Sequence, residues 1–256
     1  MTKVIFFDAD GTLISHAQNA VPESSREALR ILKEQGIKRV IATGRHMIEL
    51  RQLPVKDIDF DAYITVNGQL CLDAEGKIIS ENPISGADRD ALVQMFNEKR
   101  IPIALVEKEA MYINFVNPYV EQAQQAVSSP VPPVGQYNGA EIYLAIAYLD
   151  RESDRFIATN LPGCKATRWN SYGVDIVADT GGKVAGIKEY LRLSDFSAEE
   201  AMAFGDGEND IGMLQFVRCG VAMGNGNQQI KAVADYVAPS VDDDGIMKAL
   251  QDLGVI

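Results

Sequence analysis

Val4-Ile5-Phe6-Phe7 is an unbroken apolar run that ends on two carboxylates one residue apart, Asp8 and Asp10, and the form recurs along the chain. Lys38-Arg39-Val40-Ile41-Ala42 runs into Thr43-Gly44-Arg45. Ala201-Met202-Ala203-Phe204 runs into Gly205-Asp206-Gly207-Glu208-Asn209-Asp210. Ala62 to Val66 and Gly220 to Met223 are further runs of the same kind. Short runs rich in β-branched and aromatic residues read as strands, and the amphipathic stretches between them suit crossover helices. Pro22 to Glu34 predicts such a helix, with Pro22 near its first turn, Ala28, Leu29 and Leu32 on one stripe, and Gly36 after its end. Alternation of this kind predicts an α/β chain built on a parallel sheet.

The middle of the chain differs. From about Asn82 to Asp179, strand-like runs at Ile103 to Val106, Glu141 to Ala147 and Lys165 to Trp169 are separated by two helical stretches and by the turn-rich Ser128-Ser129-Pro130-Val131-Pro132-Pro133. These residues predict a separate α+β unit, residues 82–181, inserted into a core made of residues 1–81 and 182–256. At 256 residues there is material for both. Lys plus Arg number 24 against 36 Asp plus Glu, a formal charge of −12 that argues against nucleic acid as a partner. Any phosphate must be met locally. Three widely spaced cysteines offer neither a disulfide framework nor a metal-ligand spacing and fit a reducing compartment. The longest apolar stretch, Ile142 to Leu149, is far short of the roughly 18 residues that span a bilayer, and no signal-peptide pattern is visible, so a cytoplasmic protein with no membrane partner is expected.

In an open parallel sheet, ligands bind outside the carboxyl ends of the strands. The polar residues collected there are Asp8, Asp10, Gly11 and Thr12 from the first strand, Thr43, Gly44 and Arg45 from the second, and Asp206 to Asp210 from a late one. Lys183 joins them, preceded by Gly181-Gly182 and opening the helix toward Leu193. Asp8, Asp10, Asp206 and Asp210 at one mouth would repel each other unless a cation sat among them. With no His or Cys cluster, that cation is expected to be hard and oxygen-seeking, and Mg²⁺ fits better than zinc. Thr43 and Lys183 add a hydroxyl and a fixed positive charge, and Gly11 and Gly44 are expected to leave backbone N–H groups accessible. Such a set cradles a phosphoryl group. Asp8 can then act as a nucleophile that forms an acyl-phosphate, and Asp10, two residues on, as the acid and base that serves both half-reactions.

At this point the residues resemble the haloacid dehalogenase (HAD) superfamily of phosphatases. Its first motif is similar to Asp8 to Leu13 (DADGTL), its second to Ala42 to Arg45 (ATGR), its third to Lys183 and its fourth to Gly205 to Asp210 (GDGEND). Further likeness to the Cof-type subfamily lies in the insertion between the second and third motifs. The same subfamily is matched by Val66 to Leu70 (VNGQL), Ile211 to Leu214 (IGML), Val221 to Gly226 (VAMGNG), Val233 to Val237 (VADYV) and Asp242 to Leu250. The resemblance implies a doubly wound Rossmann-like parallel sheet core with an inserted α+β cap domain that closes over it. It also implies Mg²⁺ as cofactor and hydrolysis of small phosphorylated metabolites such as sugar phosphates or phosphorylated cofactors. Position by position, it implies Asp8 as nucleophile and metal ligand, Asp10 as acid/base and backbone-carbonyl ligand, and Asp206 as a carboxylate ligand. Asp210 and Asn209 would hold the metal or its waters, and Thr43, Gly44, Lys183 and Asn209 the phosphate. Two departures stand out: Gly226 replaces a frequent alanine, and Thr180 to Ile187 lacks the usual proline and the glycine after Lys183.

Each residue alone has a plainer reading. Asp8 and Asp10 could cap a turn before Gly11, Thr43 a helix start, and Asn209 with Asp210 the next helix. Arg45 reads as a structural ion-pairing residue. His16 and His46, near the first two motifs, offer themselves as acid/base groups but are read as not touching substrate, Trp169 and Tyr172 read as packed core, and Asp242-Asp243-Asp244 as a solvated turn before the last helix. Two other activities remain compatible: a phosphotransferase or mutase that passes the phosphoryl group to a second hydroxyl, and a sensor that keeps Asp8 phosphorylated.

Overall fold

The structure, a computed structural model, describes residues 1–126 and 129–256, with the backbone alone at 153 and 154. The chain divides into two units, Met1–Ser80 with Gly182–Ile256, and Glu81–Gly181 between them.

The first half of the first unit holds β1 (Val4–Phe7), α1 (Glu23–Glu34), β2 (Lys38–Ala42), α2 (Met47–Leu50), β3 (Ala62–Thr65) and β4 (Leu70–Asp73), and ends in β5 (Ile78–Glu81), whose last residue begins the intervening unit. The intervening unit follows with α3 (Gly86–Glu98), β6 (Ile103–Val106), β7 (Met111–Ile113), α4 (Pro118–Ala126), β8 (Leu144–Tyr148), α5 (Asp154–Asn160), β9 (Cys164–Arg168) and β10 (Gly173–Ala178). The chain then returns with α6 (Lys183–Leu193), β11 (Ala201–Gly205), α7 (Ile211–Phe216), β12 (Cys219–Ala222), α8 (Gln228–Val233), β13 (Tyr236–Val237) and α9 (Gly245–Asp252).

The first unit's sheet has the order β13-β12-β11-β1-β2-β3-β4-β5 and is parallel from β13 to β3. Alternate residues of β1 serve opposite layers. Ile5 and Phe7 pack with Leu29 and Leu32 of α1 and Ile246 and Leu250 of α9. Val4 and Phe6 pack with Ile187 and Leu191 of α6, Met213 of α7 and Ile230 of α8. Helices on both faces make β1 apolar at every position instead of every second one. Phe7 stacks on Phe204 at 5.3 Å and Phe6 meets Tyr190 edge-on at 5.9 Å, fixing the centre of the sheet from both sides. Phe7 lies in register with Ile41 and Phe204, so the residues that follow β1, β2 and β11 emerge along one edge.

The antiparallel β4, which pairs with β3, and the adjoining β5 were not legible as strands. Leu70–Asp73 offers only three apolar residues in a row, and Ile78–Glu81 only two with every residue at least partly exposed, so neither run stands out.

The inserted unit is a five-stranded antiparallel sheet ordered β7-β6-β8-β10-β9. One face packs Ile103 and Leu105 against Leu92 and Phe96 of α3 and Ile157 of α5. The other packs Ala104, Ile113 and Tyr148 against Val120 and Ala123 of α4. Trp169 and Tyr172 pack against this second face, and Tyr172 stacks on Tyr119 at 4.6 Å, as their packed-core reading requires. Among the described residues three α-helices replace the two expected, because α5, seven residues long, is too short to display a helical period. Ser128, the first residue of the expected turn-rich connection, lies outside the described residues. At the ends of the insertion, Asn82 Nδ2 donates to Thr180 Oγ1 at 3.2 Å. Among the described residues no helix is long and apolar enough to cross a membrane.

Leu32 is fully buried between α1 and the sheet. Leu32→Ala is expected to lower the unfolding free energy by about 2–5 kcal/mol in a denaturant titration, from lost burial plus the cavity left behind.

Candidate active site

Asp8 follows the last residue of β1, and its N–H donates to the Phe204 carbonyl, so the parallel ladder itself sets its position. Its carboxylate is buried, and Oδ1 accepts from Lys183 Nζ at 2.6 Å. The same ammonium donates to Asp210 Oδ1, also at 2.6 Å. Asp210 Oδ2 accepts the backbone N–H groups of Asp206 (3.1 Å) and Gly207 (3.0 Å), closing the loop after β11 around itself. Lys183 is the first residue of α6 and is buried. Gly182 before it has φ +116°, a region open mainly to glycine. The residues that flank Lys183, unusual against the resembled motif, thus still deliver its ammonium between two carboxylates.

Asp8, Asp206 and Asp210 each place an oxygen within 4.8 Å of the others. Burial raises the Asp8 pKa well above the usual carboxylate range and the Asp210 charge adds to this, against the opposing pull of Lys183. Asp206 is pushed up to about 6 by burial and then by Asp210, while a hydrogen bond from Thr12 works the other way. Burial alone would lower Lys183, but the Asp210 and Asp8 carboxylates outweigh it and hold the ammonium form. Three carboxylates against one ammonium leave two negative charges when all are ionised, a set short of positive charge.

Asp10, expected with this cluster, has its carboxylate elsewhere. Arg45 Nε donates to Asp10 Oδ2 at 2.9 Å and Arg45 Nη2 to Oδ1 at 3.1 Å, a two-pronged ion pair that draws the carboxylate toward the β2 end. Arg45 is therefore the ion-pairing residue its sequence context suggested. Thr43 is buried at the end of β2, and its Oγ1 accepts the Arg45 N–H at 3.1 Å, leaving the hydroxyl proton for another partner. Gly44 abuts Asn67, whose Oδ1 would lie 3.1 Å from an added Cβ. Asn209 is exposed, with its amide beside Gly207.

One expectation is corrected. The Gly11 N–H is not open to a ligand, because it donates to the Ile14 carbonyl at 2.9 Å. Gly11 serves close approach instead: its φ is +78°, and a Cβ there would sit 2.3 Å from Asp206 Oδ2. Of the two histidines, His16 is near enough for its charge to favour the ionised form of Asp206. His46 is buried at the start of α2, where its Nδ1 accepts the Ile48 N–H, and His16 is exposed.

The sequence matches the haloacid dehalogenase-like hydrolases over residues 5–250. The chain belongs to that family. It is a HAD phosphatase of the Cof type, and its relatives bear this out. A putative phosphatase of Bacillus subtilis, YkrA, is 31% identical over 258 residues, covering 100% of this chain and 99% of its own. The pyridoxal phosphate phosphatase YbhA of Escherichia coli is 28% identical, covering 96% of each. Among solved structures, the HAD subclass IIB sugar phosphatase BT4131 superposes with a TM-score of 0.85 at 33% identity, covering 100% of both chains.

Two contributors to this HAD site were not assigned from sequence. Asn225 Nδ2 donates to the Gly11 carbonyl (2.8 Å) and lies 3.4 Å from Asp206 Oδ2, while its Oδ1 accepts the Val241 N–H. It ties the first motif to the fourth, and only its place in VAMGNG pointed to it. Val66, Asn67 and Gly68 all have positive φ, at 54°, 53° and 85°. A β-branched residue there is strained. The strained turn lets Val66 N–H reach the Arg45 carbonyl and Asn67 N–H the Thr43 carbonyl. Gly226, where the family often has alanine, leaves 3.0 Å between an added Cβ and the Asp206 carbonyl oxygen, so the backbone there is close-packed.

Lys183→Met should cost about 3–5 kcal/mol of stability, since it leaves Asp8 and Asp210 buried without their shared counter-charge. Chemical denaturation of the metal-free variant beside the metal-free parent reads this directly.

Proposed function

We propose that this chain is a Mg²⁺-dependent phosphatase of small phosphorylated metabolites, sugar phosphates or phosphorylated cofactors, that works through a phospho-Asp8 intermediate. The inserted unit would be its cap domain. The observation that most supports this reading is the environment of Asp8. A buried carboxylate at the end of the central strand keeps one oxygen on a lysine that also answers a second carboxylate. The sugar and pyridoxal phosphate phosphatases among its relatives support the substrate class. Three free cysteines fit a reducing cytoplasm.

The donor set fits Mg²⁺, since Asp8, Asp206 and Asp210 offer only carboxylate oxygens and an excess of negative charge. Asp8 and Asp206 would hold it, with Asp10 through its backbone carbonyl and Asp210 behind them. When bound, the ion supplies Lewis-acid neutralisation of phosphoryl charge.

The chain's own groups carry the rest. Lys183, the Thr43 hydroxyl and the Gly44 N–H hold the phosphoryl oxygens, and the exposed Asn209 amide lies within the same loop as Asp206. An Asp8 oxygen attacks phosphorus as the bond to the ester oxygen breaks, and that oxygen leaves as an alcohol with the proton of the Asp10 carboxyl group. Water then attacks the phospho-aspartate and gives a proton to Asp10. The Asp8 carboxylate and inorganic phosphate are released.

A panel of phosphorylated metabolites assayed for phosphate release tests the proposal. Turnover should vanish with a chelator and return with Mg²⁺, and Asp8→Asn should lower it by about 10³-fold or more. Wild-type rates in Asp8→Asn, or silence across the panel, would refute it.

A further inference from the structure

Asp10 must change protonation twice per cycle in the proposed reaction, yet its side chain is 29% exposed and has two free torsions. Left alone, it would sample many orientations. The structure shows what restrains it. The Arg45 fork engages both carboxylate oxygens at 2.9 and 3.1 Å. Arg45 is fixed in turn, because its Nη1 donates to Glu49 Oε1 at 3.0 Å and its backbone N–H to Thr43 Oγ1. Glu49 closes the chain by accepting the His46 backbone N–H on Oε2 at 2.9 Å, so the restraint ends in the main chain at the start of α2.

We propose that Arg45 is a positioning residue that orients the Asp10 carboxyl group for proton transfer, and that Glu49 positions Arg45. The inference rests on the phosphatase reading and extends it to residues with no role so far beyond an ion pair. The geometry favours this over a merely structural pair in two ways. A carboxylate has about four lone-pair sites, so a fork that takes one site on each oxygen fixes its plane and leaves a site on each for a proton. Arg45 also joins two functions, since its backbone reads the position of Thr43, which would hold the phosphoryl group, while its side chain sets Asp10. Leaving-group protonation and phosphate binding thereby share one rigid frame. Glu49 shares the guanidinium, so Asp10, Arg45 and Glu49 together carry one net negative charge when both carboxyl groups are ionised, and Arg45 is not free to turn to the substrate.

The leaving group separates the alternatives. Glucose 6-phosphate needs its departing oxygen protonated, whereas p-nitrophenyl phosphate releases a stable anion that does not. In Arg45→Lys, which keeps the charge but loses the fork, kcat for glucose 6-phosphate should fall by about 10²-fold at near-constant KM, within the range of general acid–base catalysis. With p-nitrophenyl phosphate, the same variant should give a rapid burst approaching one p-nitrophenolate per enzyme and then a slow steady state. Only hydrolysis of the intermediate still needs Asp10. Glu49→Gln should show the same pattern at smaller size. It decides the matter alone if Arg45→Lys does not fold by thermal melting. Equal losses on both esters without a burst overturn the proposal, and so does a raised KM with kcat retained, which would make Arg45 a substrate ligand. If the parent enzyme forms no phospho-Asp8, or Asp8→Asn keeps its turnover, the phosphatase reading itself fails. That outcome is distinct from a clamp that fails in a working enzyme.

Discussion

One ammonium group, Lys183 Nζ, sits 2.6 Å from each of two buried carboxylates, and much of the first unit is arranged around that fact. Each of these charges would be costly to remove from water alone. Together they require three chain segments to arrive at one point: the end of β1, the first turn of α6 and the loop after β11. The parallel sheet brings β1 and β11 side by side, and α6 covers one face with its first residue at the strand ends. Apolar packing of Ile187, Leu191 and Met213 against Val4 and Phe6 therefore stabilises more than a core. It sets the separation at which the ionic triad closes.

The central strands and the identities of the charged residues were legible because each depends on local sequence. Fully buried strands show as unbroken apolar runs, and in a parallel sheet the residues after them fall at the strand ends where ligands bind. The direction of the Asp10 side chain was not legible, since it is set by Arg45, 35 positions away in sequence. Nor was the use of Gly11. A glycine in sequence signals freedom of φ or closeness of approach, and only the structure shows that Gly11 serves both, with φ +78° and the Asp206 carboxylate against it.

The turn at Val66-Asn67-Gly68 was hidden for a related reason. Asn-Gly predicts positive φ at those two positions, but a β-branched residue with φ of 54° contradicts local preference. The surrounding structure over-determines it, through hydrogen bonds to the Thr43 and Arg45 carbonyls and the contact of Gly68 with the Gly182 carbonyl, 2.2 Å from where a Cβ would lie. Local rules fail where the second motif and the start of α6 are locked together, and sequence-level conflict of this sort is expected at sites shaped by function.

The Asn82–Thr180 hydrogen bond places the two ends of the insertion side by side. Topologically the inserted unit is then one long loop whose mouth is already shut. Closing a loop becomes only slowly costlier with length, because the entropy scales with the logarithm of residue number. The insertion has its own core, so it also repays the ordering of its residues internally. A lineage could lengthen, shorten or exchange what lies between Asn82 and Thr180 with little effect on the sheet that carries Asp8, provided the two ends still meet.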